Sequence, residues 1–171
     1  MILSYFGNSS DYNAETTIRF FILFTNYILE ILSTFMDTDN HSEDEIRNIL
    51  SLKKIAVVGM SQHPEKDAHM VPKYLSNHDY EIIPVNPNAK EILGKKCYDL
   101  VSEVPREIEV VNVFRPSEEV LPVVKDALKK KPKVIWLQEG IHNPEAEELA
   151  KNAGIDVVFN RCMFAEHKRL C

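Results

Sequence analysis

From residue 42 onward the apolar positions of the chain fall into two alternating patterns. Residues 55–58 (IAVV) are a continuous run of β-branched and small side chains, the pattern of a parallel strand buried on both faces. Residues 81–85 (EIIPV), 109–114 (EVVNVF), 133–137 (KVIWL) and 155–159 (IDVVF) predict four more strands, and only Pro84 weakens one of them. Between the strands, apolar residues recur at helical spacing: Ile46, Ile49 and Leu50; then Met70, Val71, Tyr74 and Leu75; then Val120, Val123, Val124, Ala127 and Leu128; then Leu149 and Ala150. Ser42 with Glu45 three residues on predicts a capping box. Ser117 before Glu118 and Glu119 predicts an N-cap, with Pro122 distorting the first turns. Asn143-Pro144 reads as a cap and a first helical position, closed by Gly154. Asn160 is expected to cap a last helix ending in His167, Lys168 and Arg169, where the helix dipole favours positive charge.

Five strands alternating with helices, each joined by a crossover long enough for parallel pairing, predict an α/β fold. Its form is a Rossmann-like three-layer domain with a five-stranded parallel doubly wound sheet over residues 40–171. Residues 1–39 read as an N-terminal extension. Its apolar stretch, 18–36, is interrupted by Arg19, Asn26 and Glu30, which disfavours a membrane span and a cleaved signal peptide. The expectation is that translation begins at Met36, leaving 1–35 outside the native domain. The length of 171 residues suffices for one such domain plus the extension. A net charge of -6 gives no electrostatic reason to bind nucleic acid or an anionic membrane, so any anion site must be local. Cys97, Cys162 and Cys171 are widely spaced and form no C-x-x-C pair, which fits a reducing cytoplasm better than a zinc or disulfide framework.

The candidate chemistry lies where the first strand ends, at Gly59-Met60-Ser61. Gly59, without a Cβ, lets a ligand approach the main chain, Ser61 adds a hydroxyl, and the following helix start adds free amides, so phosphate is the natural guest. The plainer reading is a glycine easing a tight turn. The dinucleotide fingerprint G-x-G-x-x-G is broken at Ser61 and Pro64, and Asn86-Pro87 stands where a NAD site needs a carboxylate for the ribose hydroxyls. In such folds the ligand lies beyond the carboxyl ends of the strands. Those ends carry Gly59 and Ser61, Asn86 and Pro87, Arg115, Gln138 and Gly140, and residues 160–162, with Lys66 able to add charge beside phosphates. The histidines show no metal-ligand spacing and no pairing with a nucleophile motif, so neither a catalytic nor a metal site is expected. Cys162, two residues past Asn160, is the thiol expected beside the ligand edge, where a helix start favours thiolate; an inert, packed cysteine is the plainer alternative.

Five segments, taken in order and spacing, resemble a known family: GMSQHPEKDAHMVPKYL, IIPVNPNAKEILGKKCYDLVSEVP, VVNVFRPSEEVLPVV, VIWLQEGIHNPEAEELAKNAGIDVV and NRCMFAEHKRL. They are similar to the small stand-alone coenzyme A-binding proteins, whose domain resembles the CoA-binding domain of the succinyl-CoA synthetase alpha subunit. The resemblance implies a Rossmann-like domain holding CoA, with the diphosphate near the first turn and the adenine side near the V-N-P segment. By position it carries over to Gly59, Ser61, Lys66, Asn86, Pro87, Phe114, Arg115, Gln138 and Gly140. Lys66 stands where these proteins often have arginine, which puts bidentate phosphate contact in doubt, and residues 1–35 have no counterpart. The phosphorylated histidine and nucleotide-grasping domain of the related synthetases cannot be located in the chain. The resulting expectation is non-enzymatic binding of CoA or an acyl-CoA in the cytoplasm. The alternatives are a nicotinamide-dependent oxidoreductase and an interaction module with a vestigial nucleotide pocket.

Overall fold

The computed structural model of the chain describes residues 23–25 and 39–171. The chain divides into two compact units, Met1–Thr38 and Asp39–Cys171. In the first, Leu23, Phe24 and Thr25 are helical and exposed. The expectations for the rest of the apolar stretch, and for a start at Met36, lie outside the described residues. Among the described residues no helix is long and apolar enough to cross a membrane.

The second unit begins with helix α1 (Glu43–Leu50), strand β1 (Lys54–Val58), helix α2 (Asp67–Ser76) and strand β2 (Glu81–Val85). A short antiparallel pair follows, β3 (Glu91–Ile92) and β4 (Lys95–Lys96). The remainder alternates: β5 (Val110–Val113), α3 (Val120–Ala127), β6 (Val134–Leu137), α4 (Pro144–Asn152), β7 (Asp156–Val158) and α5 (Met163–Leu170). Five strands form one parallel sheet in the order β2-β1-β5-β6-β7. The chain steps outward from β1 to β2 and then crosses back to β5 on the other side of β1. The reversal therefore falls between β1 and β5, where doubly wound sheets open a crevice at the carboxyl edge.

Successive strand residues face opposite sides of the sheet. Ile55, Val57, Val110, Val134 and Trp136 pack in a core with residues of α1, α2 and α5, while Ala56, Val58, Val111, Val113, Ile135 and Leu137 pack with residues of α3 and α4. Both faces are buried, which is why these strands read as unbroken apolar runs. Each fully buried aliphatic side chain stabilises the fold by roughly 1.5–3 kcal/mol.

Local signals at the helix ends hold in some places and yield to tertiary demands in others. The capping box forms as expected: Ser42 Oγ accepts from the Glu45 amide at 3.3 Å, and the Ser42 amide donates to Glu45 Oε2 at 2.7 Å. The stripe of α2 keeps Val71, Tyr74 and Leu75 on the core but not Met70. Met70 is 48% exposed and Tyr74 half-buried, whereas His69, Val71, Pro72 and Leu75 are buried. At α3, Ser117 opens a 3-10 turn (Ser117–Glu119) instead of capping the helix, and Pro122 then falls in the first α-helical turn, where a missing amide proton has no i−4 bond to lose. Asn160 does not cap α5 either. It takes a left-handed backbone conformation and its Oδ1 accepts from the Gly140 amide at 2.9 Å, tying the ends of β6 and β7 together. Cys162 is the N-cap residue of α5, without a side-chain bond.

Candidate functional site

The switch point is closed by backbone contact. Gly59 has φ +81°, and a Cβ placed there would lie 2.9 Å from the Phe114 carbonyl oxygen and 3.3 Å from Arg115 Cδ. Only glycine fits this conformation and this approach. The Gly59 amide donates to the Val85 carbonyl at 3.0 Å and the Phe114 amide to the Val58 carbonyl at 2.9 Å, so the ends of β2, β1 and β5 form one ridge. Consecutive residues along the ridge line opposite cavities: Val58, Val85, Pro87 and Arg115 one, and Gly59, Asn86, Asn88 and Phe114 the other.

The cavity on the α3 side has a volume of about 260 Å³. Its walls are apolar, with Val58, Val85, Pro87, Leu100, Val101, Pro122 and Val123, and its polar lining is Asp99, Arg115, Glu119 and Asp126. Arg115 pairs with Glu119 at 3.3 Å. Burial of Asp126 would raise its pKa, but bonds from the Ser102 hydroxyl (2.6 Å) and amide (3.1 Å) and from Lys129 (3.1 Å) outweigh it and hold the carboxyl below the usual range. The slot suits a flat apolar group and repels a bare phosphate.

The cavity on the α2 side is polar, about 360 Å³, and lined by residues 59–63, Lys66, Ala68, Asn86, Asn88 and Phe114. No carboxylate among the described residues lines it. Lys66 is exposed and makes no ion pair among the described residues. The Ser61 hydroxyl accepts from the His63 amide at 3.1 Å, which leaves its own proton to donate. Several groups that looked available in the sequence are committed within the protein. The Gly59 amide is used by Val85, the Ser61 amide donates to the Ala68 carbonyl at 3.1 Å, and Asn86 Nδ2 donates to the Met60 carbonyl at 2.8 Å. The amides of Met60 and Gln62 make no hydrogen bond among the described residues. Met60 is fully buried and Gln62 exposed, so it is the Gln62 amide that remains available to an anion.

The expected site residues thus fall into three groups. Gly59, Ser61, Lys66, Asn86 and Phe114 surround the polar cavity, and Pro87 and Arg115 the apolar one. Gln138 and Gly140 line neither. Gln138 is 4% exposed, donates to Asn112 Oδ1 at 2.8 Å and accepts from the Met163 amide at 3.2 Å, so it fastens α5 to the sheet. The Gly140 amide is taken by Asn160. Cys162 is half-buried, packs against the core beneath α5 and lines neither cavity. Among the described residues no group of His, Cys, Asp or Glu could hold a metal ion. Sequence reasoning missed His69 and Pro72. A buried-spaced histidine and a proline inside a helical pattern were the signals, and both act on the first turn: Pro72 has no amide proton for the Ala68 carbonyl, which is therefore free to accept from Ser61.

Residues 53–168 match the family model described as a CoA binding domain. The chain is similar to the uncharacterized protein YneT of Bacillus subtilis (strain 168), 41% identical over 129 residues that are 75% of this chain and 96% of that protein. It is also similar to the ADP-forming acetate–CoA ligase of Methanocaldococcus jannaschii, 29% identical over 127 residues, 70% of this chain but only 18% of the ligase. Among solved structures, a hypothetical protein from Pyrococcus horikoshii OT3 superposes with a TM-score of 0.75 at 46% identity, covering 77% of this chain and 93% of that one. The full-length relative, the superposed structure and the extent of the family match agree: the chain belongs to the CoA binding domain family.

Proposed function

We propose that the protein binds coenzyme A or an acyl-CoA across the Gly59 ridge and does not itself catalyse a reaction. The base lies in the apolar slot beside Val85 and Pro87, and the diphosphate lies in the polar cavity beside Ser61 and Lys66. One observation carries this reading: two cavities of opposite character meet at a single ridge, one apolar with carboxylates in its lining, the other with no carboxylate in its lining and a lysine without an ion pair among the described residues. A base joined to a phosphate chain needs that division. Asn86 spends its amide on the Met60 carbonyl and the β2 end offers no carboxylate to ribose hydroxyls, which argues against a nicotinamide dinucleotide.

Thermal unfolding with and without ligands tests the proposal. CoA at about 100 times its dissociation constant should add about 2.7 kcal/mol of stability, and NAD and NADP at the same concentration should add none. Stabilisation by NAD equal to that by CoA overturns the reading.

A further inference from the structure

We propose that His69 is the positioning residue for the phosphate end of the site: it fixes the Ser61–Gln62 peptide so that the Gln62 amide faces the polar cavity as a donor to a phosphoryl oxygen. This inference rests on the CoA reading above and names the group that sets its geometry.

The Ser61 carbonyl can only accept, so His69 Nδ1, 2.8 Å away, carries the proton. The imidazole is 7% exposed and does not line the cavity. A trans peptide is planar, and its carbonyl and the following amide proton point in opposite directions. With the Ser61 carbonyl drawn to the buried ring, the Gln62 N–H is turned away from it, to the side where Ser61 and Gln62 line the cavity. That amide makes no hydrogen bond among the described residues.

The neighbouring peptide is pinned as well, with a different result. The Met60 carbonyl accepts from Asn86 Nδ2 at 2.8 Å, and the Ser61 amide on its other side donates to the Ala68 carbonyl at 3.1 Å. Both ends of that peptide are used within the protein. Only the peptide held by His69 keeps its amide for a ligand. A flip of the Ser61–Gln62 peptide would replace a donor by a carbonyl oxygen, the negative end of the dipole, facing a phosphate. The His69 bond selects against the flipped state, and the donor it presents is of the charge-assisted kind, stronger than a neutral bond.

The test is calorimetric titration of CoA, ADP and adenosine into the wild type, His69→Leu and His69→Asn, with amide NMR of Gln62. Asparagine can place Nδ2 where the imidazole Nδ1 stands; leucine removes the donor. His69→Leu should weaken CoA and ADP by about tenfold and leave adenosine within about twofold, and His69→Asn should restore affinity to within about threefold of wild type. In the wild type the Gln62 amide proton should move downfield on adding ADP. An unchanged CoA affinity in His69→Leu, an equal loss for adenosine and ADP, or a Gln62 amide that does not respond in the wild type overturns the inference while the CoA reading stands. A wild type that binds neither CoA nor ADP removes the reading itself, and the inference with it.

Discussion

At the amino edge of the sheet nearly every charge has a partner. Glu109 accepts from the Lys53 and Lys54 amides at 3.0 and 3.2 Å and from Lys133 Nζ at 2.9 Å, Lys54 reaches Glu107 at 2.6 Å, Arg106 reaches Glu81 at 2.5 Å, and His41 reaches Asp156 at 2.9 Å. The bond from Lys133, helped by the two amides, holds the Glu109 carboxyl below its usual range against its partial burial. At the carboxyl edge of the same strands, Lys66 has no ionic partner and the Met60 and Gln62 amides have no acceptor among the described residues. The amino ends of β1, β2 and β7 are the less buried ends, so burial alone does not explain the difference, which lies in the connections. The amino-edge loops close on themselves, whereas the carboxyl-edge turn is clamped from behind, by Asn86, Ala68 and His69, with Gln62 and Lys66 left exposed. Charge satisfied internally serves the fold; charge left over at a rigid edge serves a ligand.

The sharpest way to break this contrast is at the ridge. Gly59→Ala forces a side chain into a left-handed conformation 2.9 Å from the Phe114 carbonyl. It should cost at least about 2 kcal/mol of unfolding free energy in urea, because the ends of β1 and β5 must part. A midpoint within error of wild type would show that the ridge is not closed by backbone contact.

At the amino edge pH itself is the perturbation. The hydrogen bond that His41 donates to Asp39, helped by Asp156 and opposed by burial, raises the His41 pKa from 6.5 to about 9. The Arg161 guanidinium, 2.7 Å from Asp39, faces the same group. A raised folded-state value means the stabilisation is fully present below pH 6.5 and is lost as pH rises through about 9. The unfolding free energy from urea titrations should therefore fall between those limits by an amount on the order of 1 kcal/mol, since the pair is partly exposed. His41→Gln should show a smaller fall, and an identical one would sever His41 from the effect.

Much of this was written in the sequence, and the remainder has identifiable physical reasons. The five apolar runs specify a sheet buried on both faces, and the Ser42–Glu45 box depends on four consecutive residues, so local reading suffices for both. The α2 stripe holds at Val71, Tyr74 and Leu75 and fails only at Met70, because helical spacing leaves neighbouring faces ambiguous and the choice of His69 over Met70 is made by a bond to Ser61, eight residues away. Asn160 looks like a cap in isolation, but the Gly140 amide, on another strand end, claims it. Gln138 was expected at the ligand edge, yet its side chain is drawn inward by Asn112 and the start of α5. The division of the site is half-legible. Alternation at three strand ends sends Val85 and Asn86 to opposite sides, but the sequence does not say which turn amides are already spent.

The smallest effect on stability should accompany the most informative effect on binding. Lys66→Glu alters an exposed residue that makes no ion pair among the described residues and should leave unfolding free energy within about 0.5 kcal/mol of wild type. Calorimetric titration of CoA into this variant and the wild type tests the central claim most directly. The account predicts saturable binding to the wild type and an affinity at least about tenfold weaker in the variant, where a carboxylate faces the phosphates. The same dissociation constant for both proteins, or no saturable binding to the wild type, would contradict it.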